Sequence, residues 1–480
     1  MEPISLYNSK SRSEEPLSPI SGTEVVTIYN CGPTVYKRQH IGNMRRFLAA
    51  DTLKRTLALL GYTVHDVTNI TDVGHLTQDE IDEGEDKLEK EARATSRTPQ
   101  DIASEQTELF FQDAAALNIE KSTTYPKASE HIPEMIAIIE KLIERGHAYV
   151  ASSGVYYDVT SFPAYGALSG NTLAALDAGH RIEARKEKKN PADFALWMID
   201  SSHLQLWDSP WGKGYPGWHI ECSAMSMKYL GETLDIHTGG EDNRFPHHEN
   251  EIAQSEGATG KPFASIWMHN RHLLMNGKKM AKREGEVITI DTLKERGYSP
   301  LALRLLAFAH HYRSPIDFSW ELLDEYQKHV DSIKQLLMRL SPLPHWGEGG
   351  GEGSIEQSIF LKEFTAALAQ DLNTPVAFAA FLQTIKEINK AVDNNADPEI
   401  ISRLFASLVQ MDKVVGVIDR LEQNILTPIP EAISMLAQER EAAKLKKDYA
   451  AADELRTKIE QSGYEIKDTP QGPQITQKKA

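Results

Sequence analysis

The chain holds two cysteines, Cys31 and Cys222, and each lies beside other groups with ligand chemistry. Cys31 closes the strand-like run VVTIYN, and Cys222 lies in GYPGWHIECSAM. A third stretch, 231–257 (GETLDIHTGGEDNRFPHHENEIAQSEG), reads as strand, glycine turn and helix. Leu234, Ile236 and Thr238 suit a short buried strand that Gly239 and Gly240 break. Pro246 suits the first turn of the helix that follows. On that helix His247 and Glu251 are four residues apart and share a face. Two thiolates, an imidazole and a carboxylate make a borderline-soft, four-coordinate set suited to zinc. A plainer reading stands beside it. A lone cysteine is usually a small buried hydrophobe, HHENE can be a solvated helix face, and no CxxC pair decides the matter.

Two further stretches carry groups for phosphate. After Cys31 a CGPT turn leads to His40-Ile41-Gly42-Asn43 and then into a helix. Helix N-termini at strand ends bind phosphates, and His40 can donate a hydrogen bond there; equally, His40 and Asn43 can simply cap the helix. The stretch 276–285, NGKKMAKREG, is a glycine-flanked basic loop that can clamp a triphosphate by point charge and fork geometry. Basic loops are common, so this one is weak evidence by itself.

The hydrophobic pattern gives the strands and helices that carry these groups. Strand 25–30, a helix ending at Gly61 and a second strand over 62–70 form a nucleotide-binding half unit of a doubly wound α/β sheet. An α+β insertion follows over 125–209, with Ile132, Met135, Ile139 and Leu142 at helical spacing. The sheet resumes with GYPGWHIECSAM, and 266–269 reads as a further strand. Leu323, Tyr326, Val330, Ile333, Leu337 and Leu340 mark a bundle helix, and HWGEGGGEGS (345–354) a linker. The tail begins after TPIP (427–430), with a helix to Gln461 and strands around a PQG turn. The expected domains are 1–124 and 210–265 for the two halves of a Rossmann-like catalytic domain and 125–209 for the insertion. They continue with 266–320 for a stem-contact region, 321–426 for the bundle and 427–480 for a small C-terminal domain.

Composition excludes several classes. The chain has 480 residues, 40% of them hydrophobic, with room for several cores. No run of about 18 apolar residues could span a membrane. The N-terminus lacks an apolar leader core, and two cysteines suit a reducing compartment, so a cytoplasmic protein is expected. A net charge of −17 disfavours a general polyanion binder. It leaves room for local basic patches such as 181–189, 278–283 and 444–447.

Taken together the motifs resemble the cysteinyl-tRNA synthetase family of class I aminoacyl-tRNA synthetases, over nearly the whole chain. They are CGPTVY at Cys31, HIGN at His40, NITD at Asn69, GWHIECSAM at Gly217, DIHTGGEDNRFPHHENEIAQSE at Asp235, KMAKR at Lys279, HYRSPIDFS at His311 and DLNTP at Asp371. AAADELR and KDTPQGP in the tail match as well. The resemblance implies one zinc ion held by Cys31, Cys222, His247 and Glu251 and binding the thiolate of substrate L-cysteine. It implies Thr71, Trp218 and Asp242 in the amino-acid pocket. His40, Asn43, Lys279 and Lys282 would hold the phosphates of ATP, which arrives with Mg2+. The C-terminal domain would bind the anticodon of cysteine tRNA, with Lys444, Asp453 and Asp468 in contact. The expected protein is a monomer.

Departures are visible. The family motif usually reads HIGH, and here Asn43 replaces the second histidine. The usual KMSKS has Ala281 and Arg283 in place of its serines, and Lys444 stands where arginine is commoner. Adenylate formation and acyl transfer to the tRNA ribose need no enzyme nucleophile, only positioning and charge stabilisation on the phosphates. Serine differs from cysteine by one atom, and an ordinary pocket rejects such a near-isostere only about 10²-fold. A soft metal that prefers sulfur would remove the need for an editing domain. Two alternatives stay open: a ligase joining cysteine to glucosaminyl-inositol, and a catalytically silent paralogue that only binds tRNA.

Overall fold

Strand Val25–Asn30 alternates its side chains between two cores. Val26 and Ile28 pack with Leu53, Leu57, Ile236 and Met268. Tyr29, and Cys31 just beyond the strand, point the other way into a core with Val67, Ile220, Cys222 and Trp267. A sheet covered on both faces suits parallel strands. The central sheet is parallel throughout, in the order Ala264–Asn270, Leu234–Gly240, Val25–Asn30, Thr63–Thr68. Helix Ile41–Leu59 crosses between the last two. The first strand therefore has its sequence successor on one side and a strand from the second half on the other. The crevice at the carboxyl ends of Val25–Asn30 and Leu234–Gly240 is the switch point where α/β sheets bind ligands.

The computed structural model describes residues 3–74, 76–78, 83–171, 187–200, 203–279, 287–340, 358–421, 431–445, 448–469 and 472–477. They divide into two compact units. One runs to Lys294 and resumes over Tyr298–Val417; the other is Glu295–Gly297 with Ile418–Ala480. In the first unit the insertion supplies helix Ile132–Glu144, whose Ile132, Met135, Ile139 and Leu142 are buried as their spacing requires. Its antiparallel sheet has the order Tyr215–Pro216, Phe194–Met198, Gly154–Tyr157, Ala148–Ala151. Helices Pro300–Phe308, Trp320–Leu340, Ile359–Leu368, Thr374–Asp393 and Pro398–Val415 complete the unit. Leu323, Val330, Ile333, Leu337 and Leu340 are buried, and Tyr326 is half-buried. The linker expected at 345–354 lies outside the described residues. The second unit packs helices Glu431–Leu445 and Tyr449–Gln461 with the hairpin Tyr464–Thr469/Gly472–Gln477 around Ile433, Ala437, Ile459 and Ile466.

Several expectations need correction. Gly239 and Gly240 do not break their strand; both stay in its ladder, opposite His269 and Asn270. A Cβ on Gly239 would lie 2.6 Å from His248 Cε1, so the missing side chain makes room for a ring and not for a turn. Pro246 lies in the turn Arg244–His248, where Phe245 is extended, and the regular helix is Glu249–Thr259. The expected boundary at 265/266 cuts strand Ala264–Asn270, which the parallel ladder assigns to the catalytic sheet. The boundary at 209/210 separates Tyr215–Pro216 from the insertion sheet to which it is hydrogen-bonded. The tail helix is two helices, the second capped by Asp448, whose side chain accepts from Ala451 N.

Candidate metal centre and nucleotide cleft

Four elements bring the predicted ligands together. Cys31 follows the first strand, and its N–H donates to Thr238 O on the neighbouring strand. Cys222 sits in helix Trp218–Leu230, His247 in the turn Arg244–His248 and Glu251 in helix Glu249–Thr259. The ligand atoms of Cys31, Cys222, His247 and Glu251 all lie within 4.8 Å of one another. Cys222 Sγ is 3.5 Å from His247 Nε2, and His247 Nε2 is 3.0 Å from Glu251 Oε1. Burial pushes both thiols above their ordinary pKa, Cys222 the further, and lifts the Glu251 carboxyl too. A cation among them would reverse that tendency, because it favours thiolate and carboxylate. The donor set fits zinc.

Histidines that the sequence reading passed over surround this set. Cys31, His237, His248 and Glu251 also lie within 4.8 Å of one another. His237 Nε2 meets Glu251 Oε2 at 2.8 Å, leaving Oε1 turned toward His247 and Cys31. His219 Nδ1 meets His247 Nδ1 at 2.8 Å, which leaves Nε2 of His247 facing Cys222. His248 Nε2 is 3.1 Å from Cys31 Sγ, while its Nδ1 meets His269, which in turn meets Ser9. Burial holds His248 well below the ordinary histidine range and His269 at about 3. Partners of this kind orient metal ligands and fix their tautomers. The two sets share Cys31 and Glu251, and each is completed by side chains whose ring nitrogens are held by neighbours: His247 by His219, and His248 by His269. One signal was available: His248 is three residues from Glu251 and shares its helical face.

The cleft beside this centre is lined by His40, Gly42, Asn43, Arg46, Gly240, Asp242, Asn270, His272 and Leu273. His40 caps helix Ile41–Leu59, its Nδ1 accepting from Asn43 N at 3.2 Å. Asn43 Nδ2 donates to Gln39 Oε1 at 2.7 Å. Arg46 joins cleft and metal centre by donating to Asn243 Oδ1 and Gly32 O. Gly32 is needed there, since a Cβ on it would sit 1.5 Å from Asn69 O. Thr71 is buried and donates to Glu221 Oε2 at 3.1 Å while accepting from Asn69 Nδ2. The Trp218 ring lies 4.3 Å from that of His247. The backbone of Lys279 pairs with Leu274 in a short hairpin; Lys282 lies outside the described residues.

The family described as tRNA synthetases class I (C) catalytic domain matches residues 17–328, and the DALR domain matches residues 363–419. A cysteine–tRNA ligase of Chlorobaculum tepidum is 41% identical over 100% of both chains. One from Thermus thermophilus is 41% identical over 98% of both. The chain belongs to the cysteine–tRNA ligase family. The fold extends to more distant class I enzymes. Mycobacterium tuberculosis methionyl-tRNA synthetase, solved with methionyl-adenylate, superposes with a TM-score of 0.56 at 13% identity, covering 84% of this chain and 91% of that one.

Against the family pattern, the two serine positions of the lysine loop, Ala281 and Arg283, lie outside the described residues, whereas Asn43 lines the cleft. The residues expected to read the anticodon do not share one helix. Lys444 ends Glu431–Leu445 and pairs with Glu441 at 3.1 Å. Asp453 is exposed on Tyr449–Gln461, next to Tyr449, which is 64% exposed. Asp468 lies in the hairpin strand opposite Pro473.

Proposed function

We propose that this chain joins L-cysteine to ATP as cysteinyl-adenylate and passes the cysteinyl group to the 3′ end of cysteine tRNA. The observation that carries the reading is the buried Cys31–Cys222–His247–Glu251 set beside the His40–Asn43 cleft. Cys31, Cys222, His247 and Glu251 would hold a zinc ion. Bound there, zinc supplies a soft acceptor for the substrate sulfur and so discriminates against serine.

The chain's own residues do the rest. Trp218 and Thr71 shape the amino-acid pocket, and exposed Asp242 faces the cleft where the substrate ammonium would lie. His40 and the Asn43 side-chain amide, which also donates to Gln39, stabilise phosphate charge at the positive end of helix Ile41–Leu59. Lys279 and Lys282 would reach the same phosphates, and Mg2+ would enter with ATP. Nothing here requires a nucleophile on the protein. Lys444, Asp453 and Asp468 would contact the anticodon. The reading takes the chain as a monomer working in the cytoplasm; no described helix is long and apolar enough to cross a membrane.

Charging of cysteine tRNA by the purified protein tests the whole proposal. Cysteine-dependent pyrophosphate exchange without charging would point to the glucosaminyl-inositol alternative. Absence of both activities from a folded, zinc-loaded protein would point to a silent tRNA binder.

A further inference from the structure

Two residues beyond Asn43 in the same helix, Arg45 is only 2% exposed. An arginine buried that deeply is usually paired with a carboxylate. Among the described residues no carboxylate forms an ion pair with it, and burial lowers its pKa to about 10. Its donors go to backbone carbonyls. Nη1 meets Arg271 O at 2.7 Å and His272 O at 2.6 Å; Nη2 meets Ser314 O at 2.5 Å and His311 O at 3.4 Å.

Those carbonyls stand just before two parallel strands, Leu273–Met275 and Ile316–Phe318, which begin their ladder at Leu273 and Ile316. His272 O also accepts from Ile316 N at 3.2 Å. From Met275 the chain turns back at Asn276 and Gly277 into Lys278–Lys279, which pairs with Leu274 and Met275. His272 and Leu273 line the cleft together with His40 and Asn43. One guanidinium thus fastens the helix that bears His40 and Asn43 to the small sheet that bears Lys279.

We infer that Arg45 is a positioning residue for adenylate formation, setting the placement of the Lys279 strand pair relative to His40 and Asn43. The inference rests on the ligase reading above. A planar fork can span both pairs of carbonyls, whereas a lysine offers one compact charge and holds a single point. Arg45→Lys therefore keeps the charge and loses the span.

The test is cysteine-dependent ATP–pyrophosphate exchange by the full chain, parental against Arg45→Lys, with melting temperature and zinc content measured alongside. In a folded Arg45→Lys protein kcat falls about 10- to 100-fold, as displacements near 1 Å at a reacting site do, and KM for ATP rises. KM for cysteine and bound zinc stay at parental values. Parental kcat and KM for ATP in that variant overturn the inference. So does an equal loss in both substrates together with loss of zinc, which marks a purely structural arginine. Where Arg45→Lys does not fold, Pro315→Gly frees the Ser314 segment with Arg45 in place and must show the same split at a few-fold; parental ATP kinetics there overturn the inference. If the parental protein shows no exchange at all, the ligase reading has failed, and hydrogen exchange at the Ile316 amide then decides. Arg45→Lys must quicken it, and an unchanged rate removes the anchoring role.

Discussion

The metal centre and the nucleotide cleft adjoin each other and are built by opposite means. In the centre Cys31, Cys222, His247 and Glu251 are at most 4% exposed, and each predicted ligand is hemmed in by other residues. In the cleft Asn43 and Arg46 are half-buried and Asp242 is exposed. A group that must tell sulfur from oxygen gains from donors already stripped of water and held in one orientation. A site that must admit a triphosphate with its cations and release pyrophosphate gains from donors that stay solvated. The proposed function assigns selectivity to the first region and rate to the second, and each can be attacked separately.

The largest expected effect is on the metal centre. Cys222→Ser should lose zinc by elemental analysis and lose more than about 100-fold in kcat/KM for cysteine, since even an orienting partner typically costs 10–100-fold. Retained metal with parental cysteine affinity would dissolve the contrast. Asn43→Ala should act on the other side, slowing adenylate formation about 10²-fold with zinc unchanged. Because Asn43 Nδ2 already donates to Gln39, a parental rate would reduce it to a support for its neighbour. Truncation before Thr427 should leave pyrophosphate exchange largely intact, because both regions precede it. Charging at subsaturating tRNA should fall at least about thirtyfold, the minimum loss for two stacked bases. Unchanged charging by the folded, truncated protein would remove the tail from anticodon reading.

The smallest effect concerns a support of the loop after Thr71. His203 lies 3.3 Å from Asp86 and 3.4 Å from Glu89, and neighbouring Gln205 holds Gly74 N and Asp72 O. Burial alone would lower the His203 pKa, but the Asp86 hydrogen bond and charge, with Glu89, raise it overall. Its folded value therefore exceeds the unfolded one of about 6.5. The stability it adds is complete below about pH 6.5 and is lost as pH rises through the folded value. The melting-temperature gap between the parental protein and His203→Gln should be widest near pH 6 and narrow toward pH 9. The effect at its widest is of order 1 kcal/mol. A gap that does not change with pH would show that His203 acts by packing alone.

The first half of the sheet was legible because its signals are local. The run VVTIYN, the helix stop at Gly61 and the spacing of Ile132, Met135, Ile139 and Leu142 carry their own periodicity. The four ligands were legible through ligand type and one i,i+4 pair. What escaped was set by distant partners. No local pattern assigns Tyr215–Pro216 to the insertion sheet, or keeps two glycines inside a strand to admit the His248 ring. The roles of His219, His237 and His248 were hidden for a related reason: an orienting histidine and a solvated one look alike until the atom facing each ring nitrogen is known. Lys444 and Asp453 read as one helix because the pattern between them is continuous; the break is made by Asp448, whose side chain caps the second helix.

Cys31 and Glu251 are 220 residues apart in the chain. At a synthesis rate of about 5–20 residues per second, the first ligand waits roughly 10 to 45 seconds for the last. The strand that leads to Cys31 has one neighbour, Thr63–Thr68, within its own half, so it could pair there before the second-half strand Leu234–Gly240 exists. For the zinc site proposed above, metal uptake would double as a clock for assembly: an ion could be held by all four residues only after the second half of the sheet has docked on the first. Adding a chelator during synthesis, and not after it, would reveal how much of the finished fold depends on that last arrival.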